Sequence, residues 1–284
     1  MRALSDELAL AIKRLREAGV ESPQLDAQLL MAHALGCSRL DVISHPERIL
    51  TTTEETAFRS MLDRRAARYP LAYILGKKEF FGLEIEVSPA VLIPRPETEI
   101  LVEECLRRVG DEPLIADICT GSGAIAVALA VNSPKARIWA TDTSDEALKV
   151  ARVNAEKHGV ATRISILRGD LLDETIVRQL TAGLSSHLLD AIVSNPPYIP
   201  TGVIESLELE VRQEPVQALD GGLDGLDVYR RLFAQAMGLS KLVAVEIGMG
   251  QADPVTQIAT DVGWSHIEIV QDLAGIERIV MARR

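Results

Sequence analysis

Cysteine and long apolar runs are both scarce in this chain of 284 residues. Cys37, Cys105 and Cys119 are widely spaced and form no C-x-x-C pair, which argues against a disulfide scaffold and a structural zinc site. No run reaches the roughly 18 uncharged apolar residues that a transmembrane helix needs. The first twenty residues carry charges at helical spacing, unlike a signal peptide. We therefore expect a cytoplasmic protein that binds no metal and enters no membrane.

Positive charge is also in short supply. Lys and Arg number 30 against 41 Asp and Glu, a formal net charge of −11. Residues 1–86 contribute −1 and residues 87–284 contribute −10. Binding to duplex nucleic acid relies on Lys and Arg that neutralise phosphates. The balance argues against a direct nucleic-acid partner, although the total charge does not exclude a local basic groove. It favours a partner with a positive patch.

The chain is long enough for two domains, and its N-terminal part has the pattern of a helical one. Apolar residues recur at helical spacing over residues 4–15. Ser22 and Pro23 form an N-cap and first-turn pair for a second helix that Gly36 ends. Thr52 and Glu55 fit a capping box for a third helix, running to about residue 68. These features predict a helical domain over residues 1–75.

Residues 76–95 predict a β-hairpin linker. Apolar residues alternate there as in a half-buried strand, at Phe80, Phe81, Leu83, Ile85 and Val87. Val91-Leu92-Ile93 is the expected hairpin partner. Pro94-Arg95-Pro96-Glu97-Thr98-Glu99 then opens a helix, with proline and acidic residues in the first turn, where both are favoured.

From residue 96 to residue 284 strands and helices alternate. Short apolar runs cover residues 114–119, 137–141, 163–167, 189–194 and 242–247, and helical patterns cover residues 124–131, 145–157, 228–237 and 251–261. Residues 266–270 and 278–281 read as a closing pair of strands. This alternation predicts an α/β fold with a parallel sheet covered by helices on both faces.

A glycine-rich turn marks a cofactor site. Asp117-Ile118-Cys119-Thr120-Gly121-Ser122-Gly123-Ala124 ends one predicted strand and begins a helix, so backbone N–H groups can approach a ligand closely. Asp142 follows the next strand, where a carboxylate binds ribose hydroxyls in dinucleotide folds. The glycine pattern alone would suit NAD nearly as well, or a plain tight turn. Asp142 and Asp170, which follows the third strand, each also fit an ordinary helix cap or loop.

Asn195-Pro196-Pro197-Tyr198 follows the fourth strand and carries the chemistry. A planar amino nitrogen is a poor nucleophile because its lone pair is delocalised. The Asn195 side-chain oxygen and the Pro196 carbonyl can each accept one N–H and so direct the lone pair toward a methyl donor. Pro197 stiffens the loop, and the Tyr198 ring can lie against a planar substrate. The alternative interpretation is that Asn195-Pro196-Pro197-Tyr198 is only a rigid turn that ends a strand.

The motifs together resemble the release factor glutamine methyltransferases of the PrmC/HemK type. The resemblance runs along the whole chain and is carried by residues 23–35, Pro70-Leu71-Ala72-Tyr73-Ile74-Leu75-Gly76, residues 92–99, the T-G-S-G turn, residues 194–200, Leu219-Asp220-Gly221-Gly222, Asp224-Gly225-Leu226, Glu246-Ile247-Gly248 and Asp272-Leu273-Ala274-Gly275. It implies a Rossmann-like class I methyltransferase sheet over residues 96–284, S-adenosylmethionine as cofactor and a small helical domain that docks the substrate.

The resemblance also implies the site residues. Asn195, Pro196 and Tyr198 would be catalytic, and with Pro197 and Arg95 they would hold the glutamine of a Gly-Gly-Gln loop in a peptide chain release factor. The cofactor would be bound by Cys119, Thr120, Gly121, Ser122, Gly123, Asp142, Asp170, Leu171 and Asn195. The expected product is S-adenosylhomocysteine, the expected partner is the release factor and no direct nucleic acid, and the expected state is a monomer.

Several alternatives stay open. Cys119 stands where many relatives have Gly, and Leu171 where some have an aromatic residue. Arg95 fits a salt bridge as well as a pocket wall, and residues 220–227 fit an ordinary surface loop. One competing function is a nucleic-acid amino-methyltransferase, which would flip a base into a similar loop. The other is a NAD-binding oxidoreductase or a cofactor-binding module without catalysis.

Overall fold

The computed structural model describes residues 3–182 and 188–284 and divides into two compact units. The helical unit comprises Met1–Gly76 and Glu208–Gln213, and the sheet unit comprises Lys77–Leu207 and Glu214–Arg284. None of the helices in the described ranges is both long and apolar enough to cross a membrane. The α/β fold class with an N-terminal helical part is confirmed.

The helical unit is built from helices whose ends follow the expected residue chemistry. Pro23 opens the second helix, and Gly36 ends it with a left-handed φ of 60°. The capping box lies one residue earlier than predicted, because Thr51 and Glu54 exchange the hydrogen bonds. The helices are α1 (Leu4–Glu17), α2 (Pro23–Leu35), α3 (Arg39–Ser44), α4 (Thr52–Ala66) and α5 (Leu71–Leu75).

The apolar faces of these helices enclose one core. Phe58 of α4 is fully buried there with Leu15 of α1 and Leu30 of α2. Each such side chain stabilises the unit by about 1.5–3 kcal/mol when it is buried. The helical unit therefore has a hydrophobic core of its own. Arg65 of α4 is buried as well, and its charge is paired with Asp26 at 2.7 Å.

The predicted hairpin is present, but other residues form its two strands. β1 (Lys77–Phe80) pairs with β2 (Leu83–Glu86), and the chain turns at Phe81-Gly82, whose φ angles are 53° and 73°. Two consecutive left-handed residues match a type I′ hairpin turn. The single strand expected over residues 80–87 is therefore wrong, as is the expected partner Val91-Leu92-Ile93, which is not a strand.

The sheet unit contains a seven-stranded sheet in the order β5-β4-β3-β6-β7-β9-β8, parallel except for β9. The predicted strands and helices from residue 114 onward are confirmed to within two residues, and α9 was not expected. The helix predicted to open at Pro94 begins only at Thr98, so Pro94 and Pro96 precede it and do not lie in its first turn. The elements are α6 (Thr98–Arg108), β3 (Leu114–Ile118), α7 (Ala124–Asn132), β4 (Arg137–Asp142), α8 (Asp145–Lys157), β5 (Ile164–Arg168), α9 (Glu174–Thr181), β6 (Ala191–Ser194), α10 (Asp227–Ala236), β7 (Leu242–Glu246), α11 (Ala252–Asp261), β8 (His266–Gln271) and β9 (Glu277–Arg283).

The strand order reverses between β3 and β6, which are neighbours in the sheet although three helices and two strands separate them in sequence. In open α/β sheets ligands bind outside the carboxyl ends of the strands at such a switch point. The central strands are buried on both faces, so the sheet forms a rigid platform for the loops that leave its carboxyl edge.

Candidate functional site

The register of the sheet brings the predicted site residues to one edge. Ile118 of β3 lies opposite Thr141 of β4 and opposite Ser194 of β6, and Ser194 lies opposite Val245 of β7. The next residue on each strand is therefore at the same level. That row consists of Asp142, Cys119, Asn195 and Glu246.

A cavity of about 380 Å³ lies at this edge, within the size range of small-molecule and cofactor sites. All of its walls belong to the sheet unit. Nine of the predicted site residues line it, namely Cys119, Thr120, Gly121, Ser122, Asp142, Asp170, Leu171, Asn195 and Pro197. Other lining residues were not expected, among them Ala90, Val91, Leu92, Pro94, Thr98, Thr141, Gln217, Ala218, Asp220 and Arg231.

The glycine loop (residues 119–123) is held by the carboxylate of Asp117 in β3. Asp117 accepts hydrogen bonds from the Thr120 hydroxyl at 2.6 Å and from the Ala126 backbone N–H at 3.1 Å. Burial raises the pKa of Asp117 to about 7, although both hydrogen bonds oppose that shift. Gly123 has φ 78° and packs against Ala151, so a side chain at Gly123 would press into α8. These contacts fix the loop at the start of α7.

Asp142 occupies the end of β4 as predicted. One carboxylate oxygen accepts from the Gly121 N–H and the other from the Ser144 N–H, each at 2.9 Å. Burial raises its pKa, and these backbone bonds oppose the shift. A carboxylate has lone pairs for further donors. Asp142 therefore both shapes the glycine loop and presents acceptor capacity to the cavity.

Cys119 and Leu171 have left-handed backbones, with φ of 61° and 56°. This conformation costs a residue with a Cβ roughly 1–2 kcal/mol relative to glycine. Burial raises the pKa of the Cys119 thiol well above its usual range, so the thiolate is disfavoured. Cys119 thus contributes to the wall of the cavity and not to nucleophilic chemistry.

Asp170 lies at the wall of the cavity but already has a partner. Its carboxylate pairs with Arg231 of α10 at 2.6 Å, and both side chains are about half exposed. Arg231 lines the cavity too. The predicted role of Asp170 in binding the cofactor stays a prediction.

Asn195 leads the N-P-P-Y loop (residues 195–198) away from β6. Its side-chain nitrogen donates to the Thr98 hydroxyl at 3.1 Å, and that hydroxyl donates to Glu246 at 2.6 Å. Thr98 begins α6, and Glu246 ends β7. Burial raises the pKa of Glu246 to about 7. Thr98 and Glu246 were not among the predicted site residues, although both belong to quoted motifs.

Tyr198 is enclosed by two glycine-containing loops. Gln251 donates to the Tyr198 carbonyl at 3.0 Å and accepts from the Gly248 N–H at 2.9 Å. A Cβ at Gly225 would lie 2.4 Å from the Tyr198 carbonyl oxygen, and one at Gly221 would lie 2.7 Å from the Tyr198 Cα. Burial raises the pKa of the Tyr198 phenol, so it stays protonated. Gly221 and Gly225 are thus required for packing on the N-P-P-Y loop.

Arg95 forms an ion pair with Glu214, which also accepts from the Ile93 N–H at 2.9 Å. The Glu214 side chain is almost fully buried. Arg95, Gly123, Pro196 and Tyr198 do not line the cavity, whereas the other predicted site residues do. A substrate-binding role for Arg95 stays a prediction, and the ion pair is the contact that the structure shows.

The cavity fits a polar cofactor with a nucleoside, as the sequence predicts. The Thr141 hydroxyl is fully buried, lines the cavity and has no hydrogen-bond partner among the described residues. A buried hydroxyl without a partner is costly, and a ligand with polar groups would satisfy it. Within residues 3–182 and 188–284 no group of three or more His, Cys, Asp or Glu side chains is placed to hold a metal ion.

Comparisons with known proteins agree with this geometry. Residues 6–76 match the family model of the PrmC N-terminal domain, and residues 96–212 match that of the methyltransferase small domain. The release factor glutamine methyltransferase of Moorella thermoacetica is 44% identical over 99% of this chain and 98% of its own. That of Geobacter sulfurreducens is 42% identical over 95% and 92%.

Solved structures share the fold. The hMettl16 catalytic domain, solved with the MAT2A 3'UTR hairpin 1, has a TM-score of 0.58 at 16% identity and covers 78% of this chain and 80% of that one. A methyltransferase from Pyrococcus furiosus has a TM-score of 0.52 at 17% identity, covering 79% and 96%. With a methyltransferase fold, a cavity at the switch point and relatives this similar over nearly the whole length, the chain belongs to the family of release factor glutamine methyltransferases.

Proposed function

We propose that this protein transfers a methyl group from S-adenosylmethionine to the side-chain amide nitrogen of the glutamine in the Gly-Gly-Gln motif of peptide chain release factors, and so modulates translation termination. The relatives of 35–44% identity carry this activity in their names. The observation that carries the proposal is the place of Asn195. It lines the same cavity as the glycine loop, at the carboxyl end of the neighbouring strand.

S-adenosylmethionine is the methyl donor, and when bound it supplies an electrophilic methyl group. Transfer of that group to the amide nitrogen leaves S-adenosylhomocysteine, and the displaced N–H proton passes to solvent. Asp142 and the glycine loop would hold the donor, with Thr141 as an additional hydroxyl. Asn195 and Pro196 would each accept an N–H of the glutamine amide. Pro197 and the loops around Tyr198 hold these acceptors still, so that alignment and preorganised dipoles lower the barrier.

The remaining assignments belong to the same proposal. The acceptor is a protein and not a nucleic acid, which the net charge of −10 over residues 87–284 supports. The helical unit docks the release factor, in agreement with the match of residues 6–76 to the PrmC N-terminal domain. The enzyme acts as a monomer in the cytoplasm, where release factors work, and binds no membrane.

Methyl transfer from labelled S-adenosylmethionine tests the proposal. The enzyme is incubated in turn with intact release factor, a release factor whose Gly-Gly-Gln glutamine is replaced by alanine, duplex DNA and structured RNA. We expect label in the intact release factor alone, at the amide nitrogen of that glutamine. Label in RNA or DNA with none in the release factor would assign the chain to the nucleic-acid amino-methyltransferases.

A further inference from the structure

The orientation of the Asn195 carboxamide depends on two residues outside its own loop. The amide nitrogen donates to the Thr98 hydroxyl at 3.1 Å, and this hydroxyl donates to Glu246 at 2.6 Å. Thr98 and Glu246 are 4% and 3% exposed, so water does not compete freely for their bonds. The three residues come from α6, β7 and the loop after β6.

The polarity of this chain of hydrogen bonds is fixed by the inventory of donors. An ionised carboxylate accepts only, and a hydroxyl has one proton to give. The Thr98 proton is therefore used on Glu246, and the Thr98 oxygen is left to accept. The atom of Asn195 that faces Thr98 must then be the NH₂ group, because a carbonyl oxygen there would meet an oxygen without a proton between them. The Asn195 side-chain oxygen is left for a donor in the cavity.

We infer that Thr98 and Glu246 are positioning residues that fix the rotation of the Asn195 carboxamide, so that its oxygen accepts the N–H of the substrate amide. The inference rests on the proposed function for the nature of that substrate. Neither residue touches the substrate amide in this role. Both act through Asn195. Without them the Asn195 carboxamide could take either of two orientations, and in one of them its NH₂ group would face the N–H of the substrate amide.

The charge of Glu246 sets the direction of the chain. Burial is the largest influence on its pKa, which rises to about 7, while the hydrogen bond from Thr98 lowers it. Glu97 on the segment before α6 raises the pKa, and Arg278 on β9 and Arg95 lower it. The phenols of Tyr198 and Tyr229 also face Glu246. A protonated Glu246 can donate to Thr98, and the Thr98 proton is then free to face Asn195.

The rate should therefore fall as the pH decreases through the pKa of Glu246. Asp117, whose pKa is also raised to about 7, is unchanged in every variant considered, so differences between the variants report on Glu246. Glu246→Gln keeps an acceptor oxygen for Thr98 but cannot titrate. Thr98→Val keeps the shape and removes the hydroxyl, and Thr98→Ser restores it.

Single-turnover methylation of intact release factor tests the inference at saturating cofactor from pH 5.5 to 9. We expect Thr98→Val to lower the rate about tenfold, with the KM for release factor and the calorimetric cofactor affinity within twofold of wild type. Thr98→Ser should recover most of the rate. Glu246→Gln should lose a few-fold at pH 8 and lack the acidic limb of the wild-type profile.

Thr256→Val is the matched control. Its hydroxyl is also buried and has no hydrogen-bond partner among the described residues, so its removal should leave the rate unchanged. A wild-type rate in Thr98→Val would overturn the inference. An acidic limb in Glu246→Gln equal to that of wild type would overturn it as well.

A second measurement does not depend on methyl transfer. It tests the inference even if the proposed function is wrong or a variant is inactive. The side-chain NH₂ signals of Asn195, assigned by their loss in Asn195→Ala, are followed by nitrogen-15 NMR in the presence of S-adenosylhomocysteine. We expect them to titrate near the pKa of Glu246 in wild type, to stop titrating in Glu246→Gln and to move in Thr98→Val. Signals that are the same in all three proteins would contradict the inference even if release factor is the substrate.

Discussion

The two loops that form the candidate site use the same device over very different distances in sequence. Each loop is supported by a threonine hydroxyl that donates at 2.6 Å to a buried carboxylate of a central strand: Thr120 to Asp117 at the glycine loop and Thr98 of α6 to Glu246 at the N-P-P-Y loop. Burial raises the pKa of both carboxyl groups to about 7. The first pair is three residues apart, whereas the second is 148 residues apart.

Under the proposed function, the first loop binds the cofactor and the second aligns the substrate amide, so this difference separates cofactor binding from methyl transfer. The glycine loop is held by Asp117, Asp142 and Asn154, each of which lies at most 32 residues from its hydrogen-bond partner in the loop. The N-P-P-Y loop is supported by Thr98, Glu246 and Gln251, which come from distant parts of the chain. Acceptors that must match a transition state within a fraction of an ångström need support from several sides. We expect changes at the first loop to alter cofactor affinity and changes at the second to alter turnover.

The largest expected effect comes from Asn195→Ala. Loss of one preorganised polar group typically costs on the order of a hundredfold to a thousandfold in turnover. Single-turnover methylation should show this loss, and calorimetry should show at most a modest change in cofactor affinity. A folded variant with near-wild-type turnover would make the N-P-P-Y loop an ordinary turn. Asn195→Asp refines the test, because it keeps an acceptor but adds a charge that favours the ground state over the transition state.

Asp142→Ala should act on the other side of the comparison. It removes the acceptor for the Gly121 and Ser144 N–H groups and, under the proposed function, the acceptor for the ribose hydroxyls of the cofactor. Hydrogen bonds to a charged group contribute about 1.5–3 kcal/mol, so cofactor affinity should fall roughly tenfold to a hundredfold.

Asp190→Ala is the matched control for Asp142→Ala. The Asp190 carboxylate also accepts a backbone N–H at 2.9 Å, from Leu114, but at the amino end of the sheet. Its removal should leave the affinity unchanged. If calorimetry gave equal affinities for Asp142→Ala and wild type, Asp142 would have to be removed from the cofactor site.

Gly225→Ala tests the support of Tyr198. The new Cβ would lie 2.4 Å from the Tyr198 carbonyl oxygen, so the N-P-P-Y loop must move. Displacements of about 1 Å can cost about a hundredfold in rate, and we expect a loss of roughly tenfold with little change in cofactor affinity. Gly82→Ala is the control, because Gly82 has a similar positive φ with nothing within 4 Å of the new Cβ. Equal kinetics in the two variants would refute the contact as a determinant of turnover.

The last expected effect concerns stability and not activity. The pKa of Asp117 is raised in the folded protein above its unfolded value of 3.8, so between about pH 4 and pH 7 the folded state holds a proton that the unfolded state has lost. The contribution of Asp117 to the free energy of unfolding therefore decreases as the pH rises through this window. Asp117→Asn should remove that slope, which is at most about 1.4 kcal/mol per pH unit.

Denaturant titrations at several pH values measure this slope. The control is Glu84→Gln, because the ion pairs with Lys77 and Lys157 lower the pKa of Glu84 to about 2. The difference between Glu84→Gln and wild type should be flat from pH 5 to pH 7. A slope in Asp117→Asn equal to that of wild type would mean that Asp117 stays ionised throughout.

Much of the fold was predictable because its signals are local. Apolar runs and helix caps gave the strands and helices of the sheet to within two residues, and the glycine loop and Asp142 could be located from strand ends. The errors arose where neighbouring residues compete. Thr51 and Thr52 both fit an N-cap, and only the backbone at Thr51 is extended. Alternation through Phe81 indicated one strand, but Phe81 and Gly82 adopt the left-handed conformation of a turn.

The supports of the N-P-P-Y loop could not be derived in this way. The hydrogen bond between Thr98 and Glu246 depends on α6 packing beside β7, and no pattern in either segment indicates it. Arg95 illustrates the same limit. Its ion pair with Glu214 joins residues 119 apart.

The short segment Glu208–Gln213 belongs to the helical unit although it follows the N-P-P-Y loop in sequence. Glu210 accepts hydrogen bonds there from Arg65 at 2.9 Å and from Arg68 at 2.5 Å. The chain consequently passes between the units three times, after residues 76, 207 and 213. Cutting the gene at residue 76 would leave Glu210 without either arginine and Arg65 without Glu210, so neither fragment would be a faithful copy of its unit. The helical unit consists of two separate segments of the chain. A chimera that joins this unit to another methyltransferase would have to include residues 208–213 as well.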